Sequence, residues 1–418
     1  MANTPDAKRA KAHGVEGPRR FIEQRWLLDN IINTVGIDWD QNRTANYPAA
    51  CVPEANADFA AIRTRIKKLA DFTPAFEAAA RRREAKAKAH EQAGETVNAR
   101  QNYFIASVLW SVAQWPIDVN NEQNVTLNAR KRECYTKYAS LADHRVEAAW
   151  IPFQGKALPG WFHLPPGYQG GKIPAVISIP GMDGFKEIGV SMYGDRWLQR
   201  GIAVLAIEGP GQYESSVLGF DVSVPNWVEA GRAIYDWMAA RPELDPSRIG
   251  IVGSSFGSLF GTLVAASEPR FKACAVSATC LEPGCHTIFE EASPTYKKRF
   301  MYMAGYSDEA AFDEFAKTLT WEGHAEKIRM PYLCVAGESD ELAPLEHTER
   351  LISTLKCPKR LVVYQDSRHG IGIVPSASLG PNFAALIADW MAARLAGQSF
   401  ESDRWLVTAT GQVEKSPL

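Results

Sequence analysis

Residues 248–258 read RIGIVGSSFGS and decide the fold. The stretch begins as an apolar strand, turns through GSSFG at 253–257, and continues as a helix of small residues. A Gly-x-Ser-x-Gly turn between a strand and a helix is typical of a nucleophile elbow, in which small neighbours permit a strained turn and leave the serine hydroxyl clear above the sheet. The helix that follows directs its first N–H groups at a developing oxyanion. We therefore predict that Ser255 is a catalytic nucleophile.

A turn of this composition has two other interpretations. A tight packing turn with an inert serine would have the same sequence. A phosphate-binding loop is disfavoured, because no GxxxxGK[ST] motif follows and the spacing of Gly253, Gly257 and Gly261 is not GxGxxG.

The part of the chain after residue 145 alternates short β-rich runs with helices. From the third candidate strand onward the runs are continuously apolar, which suits strands covered by helices on both faces. The pattern predicts a mostly parallel, doubly wound, eight-stranded α/β sheet. Residues 281–326 are too long for a simple connection and are predicted to be an insertion near the ligand mouth. The candidate strands are 146–153, 158–163, 175–179, 203–207, 249–252, 273–277, 332–336 and 360–364.

The part before residue 145 contains almost no candidate strand. Ala-rich, charged segments with helical periodicity cover 74–92, 95–114 and 125–141, and 37–56 is loop-rich. We therefore predict a helical domain over 1–144 and a catalytic domain over 145–418.

Composition excludes several classes of protein. The 418 residues include 46 basic and 48 acidic side chains, for a formal net charge of −2, and 46% are hydrophobic. These values exclude disordered and collagen-like chains and give no support to a nucleic-acid or anionic-membrane partner. The uncharged run 249–267 contains four glycines and is not expected to span a membrane.

Cysteine usage and the amino terminus bear on location and metal binding. The seven cysteines are odd in number, widely spaced and without a CxxC pair, which argues against a disulfide framework or a zinc knuckle. HExxH is absent from the sequence, so we expect no metal and no cofactor. The polar start MANTPDAKRAKAHGVEG lacks the apolar core of a signal peptide, so we expect a cytoplasmic location.

A serine nucleophile needs a histidine base, and the histidine needs an orienting carboxylate. The segment GESDELAP at 337–344 follows a strand, and Asp340 is the predicted acid, with Glu338 and Glu341 as alternatives or as helix N-terminal charges. The segment QDSRHG at 365–370 follows the last of the eight strands, and His369 is the predicted base. His347 falls within the next helix and is expected at the surface.

The segment IPGMDG at 179–184 follows the third strand, where the second oxyanion donor of such a site is found. We assign the backbone N–H groups of Met182 and Phe256 to an oxyanion hole. Asp183 has either a catalytic or substrate-binding role or the role of N-cap for a helix over 186–199. The turn EGPGQ at 208–212 is expected to be structural.

These motifs together resemble α/β-hydrolases of the FrsA-like esterase group, which includes 2,6-dihydropseudooxynicotine hydrolase and fungal polyketide-shortening hydrolases. The shared features are the helical amino-terminal part, PGMDGFKE, EGPGQ, GSSFG, GESDELAP and SRHG. The resemblance covers most of the chain, most specifically residues 145–395. It implies an α/β-hydrolase fold and a homodimer in which the helical domain caps the active site, with the substrate between the two parts.

The resemblance also bears on two individual positions. In the pyridine-catabolic relative a Glu just after the oxyanion loop matters for C–C bond cleavage, and Asp183 occupies the matching position here. The turn EGPGQYES departs from the commoner DGPGQGE, since Glu208 replaces Asp and Tyr213 replaces Gly.

The predicted activity is therefore that of a cofactor-independent serine hydrolase acting on a small, apolar or aromatic carboxylic ester. The alternative is a C–C bond hydrolase that cleaves a β-diketone by retro-Claisen chemistry with the help of Asp183; amide cleavage ranks third. A noncatalytic ligand-binding relative is a lower alternative, and the helical part could instead bind a protein partner. Aromatic residues of the insertion either line the pocket or belong to the core; they are Phe289, Tyr296, Phe300 and Tyr302.

Overall fold

The computed structural model describes residues 19–40, 43–192, 194–372 and 374–418. Its centre is a ten-stranded sheet with the order β1-β2-β4-β3-β5-β6-β7-β8-β9-β10. Neighbouring strands from β4 to β9 along this order pair in parallel, while β1/β2, β2/β4 and β9/β10 are antiparallel. The strands are β1 Val146–Phe153, β2 Lys156–His163, β3 Ile173–Ile179, β4 Ala203–Ile207, β5 Leu244–Ser255, β6 Ala273–Thr279, β7 Tyr332–Gly337, β8 Lys359–Tyr364, β9 Asp403–Val407 and β10 Val413–Pro417.

Fourteen α-helices accompany the sheet in the described ranges. They are α1 Arg19–Val35, α2 Arg43–Asn46, α3 Asn56–Arg65, α4 Phe72–Gln92, α5 Thr96–Ala113, α6 Glu122–Ser140, α7 Tyr213–Val217, α8 Val224–Ala239, α9 Phe256–Ser267, α10 Pro294–Ala304, α11 Glu309–Ala316, α12 Leu345–Thr354, α13 Pro375–Leu379 and α14 Phe383–Leu395.

The fold class is confirmed, because alternate side chains of each central strand enter different apolar cores. Ile177 and Ile251 pack in the core that includes α8 and α9, whereas Val176 and Leu333 pack with α14 on the other face. Each central strand is therefore buried on both sides, which explains the uninterrupted apolar runs in the sequence.

The predicted number of eight strands is wrong, because the sheet continues through β9 and β10. Strand β9 adds in parallel to β8, with Asp403 opposite Arg360, and β10 returns antiparallel through a turn at Gly411, whose φ is 80°. Most of β9 and all of β10 are at least partly exposed. These edge strands lack the apolar run by which the central strands were recognised.

Residues 19–40 and 43–144 form helices and turns and contain no strand. Their buried side chains, among them Leu109 and Leu127, belong to the same continuous core as Ile177 of the sheet. The division into domains at residue 144 stays a prediction.

In the part of the chain with described coordinates, no helix combines the length and apolarity that crossing a bilayer requires.

A buried cluster of charges joins helix α6 to the sheet. Lys131 of α6 is fully buried, and its Nζ lies 2.9 Å from Oε1 of Glu208 at the end of β4. Lys186 Nζ lies 3.0 Å from Glu187, 3.1 Å from Glu208 and 2.7 Å from Glu214. Burial alone would lower the pKa of Lys186, but the three carboxylates outweigh it and hold that pKa well above its usual value. Each buried charge of this cluster is therefore stabilised by the others, and the loss of one member would leave the remaining charges uncompensated.

Replacing Lys131 with Met tests this cluster. The change leaves buried carboxylates short of a cation and is expected to lower the free energy of unfolding by about 3–5 kcal/mol. Lys137→Met is the matched control on the same helix, since Lys137 pairs with Glu91 at 2.8 Å but half of its side chain is exposed; the expected loss is about 1 kcal/mol or less. Denaturant unfolding of both variants measures the difference, and equal losses would contradict a special role for the cluster.

Candidate active site

Ser255 lies at the junction of a strand and a helix. It is the last residue of β5, and α9 begins with the next residue, Phe256. Its backbone has φ 56° and ψ −128°, a conformation that residues with side chains rarely adopt. A Cβ on Gly257 would lie 2.2 Å from the carbonyl oxygen of Ile179, so the helix approaches β3 too closely for any other residue. The turn is thus strained and tightly packed, as the motif predicted.

The junction lies where the strand order changes direction. The chain passes from β3 to β4 on one side and then crosses to β5 on the other, so β3 has β4 and β5 as its two neighbours. Ile179 at the end of β3 pairs with Gly253 in β5. In parallel α/β sheets this switch point opens a crevice at the carboxyl ends of the strands, where ligands bind.

A continuous hydrogen-bond chain joins Ser255, His369 and Asp340. The Ser255 Oγ lies 3.0 Å from His369 Nε2, and His369 Nδ1 lies 2.9 Å from Oδ2 and 3.1 Å from Oδ1 of Asp340. Asp340 Oδ1 also accepts the backbone N–H groups of Leu342 and Ala343 at 2.9 and 3.0 Å. The ring of His369 is therefore oriented by a carboxylate that is itself held in place.

The two alternative acids contact other groups. Glu338 accepts the backbone N–H of Asp366 at 3.0 Å, and Glu341 accepts the backbone N–H of His369 at 3.1 Å. Among the three acidic residues of this turn, Asp340 is the one whose carboxylate contacts the imidazole. His347 lies in α12, 3.8 Å from Glu282, as expected for a residue outside the site.

The surroundings of His369 favour its protonated form. Burial alone would lower its pKa, but the Asp340 carboxylate outweighs that effect through its charge and its hydrogen bond, and Glu341 and Asp183 add to it. The pKa of His369 is therefore raised above the ordinary 6.5. Such a histidine is a stronger base for the Ser255 proton than a free imidazole.

The two expected oxyanion donors belong to segments that adjoin Ser255. Phe256 is the first residue of α9, so its N–H has no intrahelical acceptor. Met182 follows Gly181, where a Cβ would lie 2.7 Å from the Cβ of Ser255, so the loop after β3 packs directly against the serine. Within the described residues, neither N–H donates a backbone hydrogen bond.

The interpretation of Asp183 as a helix N-cap is wrong. The described residues of 186–199 contain no α-helix, only the 3-10 turns Lys186–Ile188 and Leu198–Arg200, and Phe185 is the N-cap of the first. Gly194 has a φ of 74°, which a right-handed helix does not accommodate. Asp183 instead lines the cavity with Ser255 and His369, and its charge contributes to the raised pKa of His369.

A cavity of about 470 Å³ opens in front of Ser255 and His369. Trp39, Asp40 and Tyr47 from the amino-terminal part line it, and Ile288 and Tyr296 from the insertion complete one wall. Of the four aromatic residues suggested for the pocket, Tyr296 is the one in its lining. Phe289 and Phe300 instead pack against Phe256 in the core at ring distances of 6.0 and 4.6 Å, and the Tyr302 hydroxyl donates to Asn120 at 2.7 Å.

Cys280 is a neighbour of Ser255 that no motif in the sequence indicated. Its Sγ lies 3.6 Å from the Oγ of Ser255. Burial, with the charge of Asp340 adding to it, raises the pKa of this thiol well above its usual value. The thiol therefore stays protonated at neutral pH and does not compete with His369 as a base.

The EGPGQ turn, interpreted as structural, also reaches the site. Gln212 of this turn contacts the loop after β3, and so does Tyr213, which replaces Gly of the commoner pattern. Tyr47 from the amino-terminal part contacts the same loop. The position of this turn in the sequence could have indicated its contact with the site, because β4 is the neighbour of β3 and their carboxyl ends share an edge of the sheet.

In the described part of the chain, no group of three or more His, Cys, Asp or Glu residues could hold a metal ion.

The raised pKa of His369 predicts how kcat/KM depends on pH on the acidic side of the pH profile. The base must be neutral, so kcat/KM should fall as the pH falls through a midpoint above 6.5. Glu341→Gln and Asp183→Asn each remove a charge that raises this pKa, and each should move the midpoint to lower pH. Glu338→Gln is the control, since Glu338 contacts the Asp366 amide, and it should leave the midpoint unchanged. Wild-type midpoints below 6.5 would contradict the assignment of the base.

Comparison with known proteins places the chain among hydrolases. The family model described as "Esterase FrsA-like" matches residues 75–314. An α/β hydrolase of Xenoacremonium sinensis is 32% identical over 192 residues, which cover 44% of this chain and 45% of that protein. The 20-hydroxy-prefusarin hydrolase of Gibberella moniliformis is 27% identical over 329 residues, covering 73% of this chain and 75% of the relative.

One solved structure with the same fold is that of 2,6-dihydroxy-pseudo-oxynicotine hydrolase. It superimposes with a TM-score of 0.68 and 23% identity, over 79% of this chain and 90% of that one. The sequence matches to the first curated relatives span about half of the length of those proteins. They cover 45% of the protein from Xenoacremonium sinensis and 54% of that from an Acremonium species. The structural likeness establishes the shared fold.

Proposed function

Because the chain belongs to the FrsA-like esterase family, we propose that it is a serine hydrolase that cleaves the acyl bond of a small carboxylic ester. The observation that carries this proposal is the hydrogen-bond chain from Ser255 through His369 to Asp340, with 3.0 Å between Oγ and Nε2 and 2.9 Å between Nδ1 and Oδ2. This is the arrangement that a serine needs in order to lose its proton as it attacks a carbonyl.

The reaction follows from these contacts. As Ser255 Oγ attacks the carbonyl carbon, its proton passes to His369 Nε2, and the negative charge of the tetrahedral intermediate faces the N–H groups of Met182 and Phe256. Collapse of the intermediate expels an alkoxide, which takes the proton from the imidazolium. Water then attacks the acyl-enzyme by the same route and releases the acid. Asp340 keeps the Nδ1 proton in place throughout.

The cavity supports a small substrate with an apolar or aromatic part. Its volume of about 470 Å³ lies within the range of small-molecule sites. Trp39 and Tyr47 of the amino-terminal part and Ile288 and Tyr296 of the insertion face the same space as Ser255. This supports a cap formed by residues 1–144 over a catalytic domain of 145–418, with the substrate held between them. The homodimer and the cytoplasmic location stay predictions.

The position of Asp183 favours C–C bond hydrolysis as a second candidate. It lines the cavity that Ser255 and His369 share, and the described residues offer it no helix to cap. When Ser255 attacks a β-diketone, the leaving group is an enolate stabilised by its remaining carbonyl, and it needs a proton on carbon. An extra acidic group beside the catalytic histidine provides a route for that proton.

Product analysis distinguishes the two reactions. Mass spectrometry after incubation with aryl esters, anilides and aryl β-diketones should find an acid and an alcohol from the esters. Ser255→Ala should abolish this turnover, and Ser254→Ala, the neighbouring serine of the same turn, should retain it. Formation of an acid and a ketone from the diketones would assign C–C hydrolysis, and Asp183→Asn should then slow that reaction more than ester cleavage. Equal turnover by Ser255→Ala would contradict the proposal.

A further inference from the structure

Three carbonyl oxygens of the loop after β3 accept hydrogen bonds from side chains. Gln212 Nε2 donates to the Pro180 oxygen at 2.6 Å and to the Gly181 oxygen at 3.2 Å. The Tyr47 and Tyr213 hydroxyls both donate to the Asp183 oxygen, at 2.8 and 3.0 Å. We call Gln212, Tyr213 and Tyr47 the carbonyl brace.

Gln212 is held by every polar atom of its amide group. Its two Nε2 hydrogens serve the two loop carbonyls, and its Oε1 accepts the N–H of Gly209 at 2.9 Å. The side chain is fully buried, so no water competes for these bonds. Its amide plane, and with it the two carbonyls that it binds, therefore has a single favourable orientation.

The Gly181 carbonyl bears directly on the oxyanion hole. The peptide bond between Gly181 and Met182 is planar, and in a trans peptide the N–H points opposite to the C=O. Because Gln212 holds the Gly181 oxygen on one side of the loop, the Met182 N–H is directed to the other. The Gly181 backbone lies against Ser255. The hydrogen bond to the Pro180 carbonyl restrains the preceding peptide unit, and the bonds to the Asp183 carbonyl restrain the unit between Asp183 and Gly184, two units further along the loop.

Tyr213 adopts a backbone conformation that a glycine would adopt more easily. Its φ is 29°, in a region that side chains disfavour, and the commoner motif has Gly at this position. Its ring is fixed by Phe185 at 5.6 Å and by the Arg299 guanidinium at 4.8 Å. The hydroxyl bond to Asp183 gives a physical reason for a strained tyrosine here.

We propose that the carbonyl brace aims the Met182 N–H at the substrate oxyanion, so that Gln212 and Tyr213 are positioning residues for the acyl-transfer reaction. This inference rests on the proposed function, because it assumes that an oxyanion forms on the carbonyl attacked by Ser255. A group that acts on the transition state lowers kcat when it is lost and leaves KM nearly unchanged.

The test compares variants that remove hydrogen bonds and little volume. Gln212→Met should lower kcat for 4-nitrophenyl acetate about 100-fold, and Tyr213→Phe about tenfold, with little change in KM. Binding of trifluoroacetophenone should weaken in parallel. Ser255 converts this ketone to a tetrahedral oxyanion by adding its Oγ to the carbonyl carbon while its hydroxyl proton passes to His369 Nε2. Tyr235→Phe is the control. This buried tyrosine lies outside the cavity lining, and its hydroxyl donates to the Pro246 carbonyl at 2.9 Å. The kinetics of this variant should match those of the wild type.

The outcomes separate the inference from the proposed function. Ser255→Ala with full activity would overturn the proposed function itself. An inactive Ser255→Ala together with wild-type kcat and trifluoroacetophenone affinity in Gln212→Met and Tyr213→Phe would overturn the brace alone. A lower melting temperature of Gln212→Met and Tyr213→Phe with unchanged kcat would also overturn it, because that result assigns Gln212 and Tyr213 a structural role only.

Discussion

The close approach of β3, β5 and α9 is the constraint from which the rest of the site follows. A Cβ at Gly257 would lie 2.2 Å from the Ile179 carbonyl, and one at Gly181 would lie 2.7 Å from the Cβ of Ser255. Strand β3, helix α9 and the loop after β3 therefore meet with no space for side chains between their backbones. At this contact Ser255 adopts a positive φ, and the two segments that carry the Met182 and Phe256 amides both adjoin it.

The regions around this junction restrain it from two sides. On one side, the turn after β7 holds Asp340 through the Leu342 and Ala343 amides, and Asp340 holds His369. On the other, the turn after β4 carries Glu208 in the buried charge cluster and Gln212 against the oxyanion loop. Two residues of the amino-terminal part bind to these same regions. Lys131 pairs with Glu208, and the Tyr47 hydroxyl donates to the Asp183 carbonyl of the loop after β3. The helical part thus contributes to the order of the loops around Ser255 as well as to the cavity wall.

The sequence predicted those features that depend on local pattern. Continuous apolar runs predicted β3 to β8, which are covered on both faces, and Ser255, Asp340 and His369 were predicted because they lie at or after strand ends in chain order. The helix over 186–199 was wrong because Gly194 adopts a positive φ and the Lys186 and Glu187 side chains turn into the buried cluster, which periodicity does not reveal. The contacts of Gln212, Tyr213 and Cys280 depend on how separate turns meet in space, and residue types alone do not specify that meeting.

Mass spectrometry of the peptides from rapidly quenched enzyme determines whether Ser255 carries the acyl group during turnover. Excess enzyme is mixed with a 4-nitrophenyl ester, quenched in acid within milliseconds and digested. We expect a transient mass increase equal to the acyl group, located on the peptide that contains Ser255. An acyl group on Cys280, whose sulfur lies 3.6 Å from the serine oxygen, or turnover with no adduct on Ser255 would contradict it.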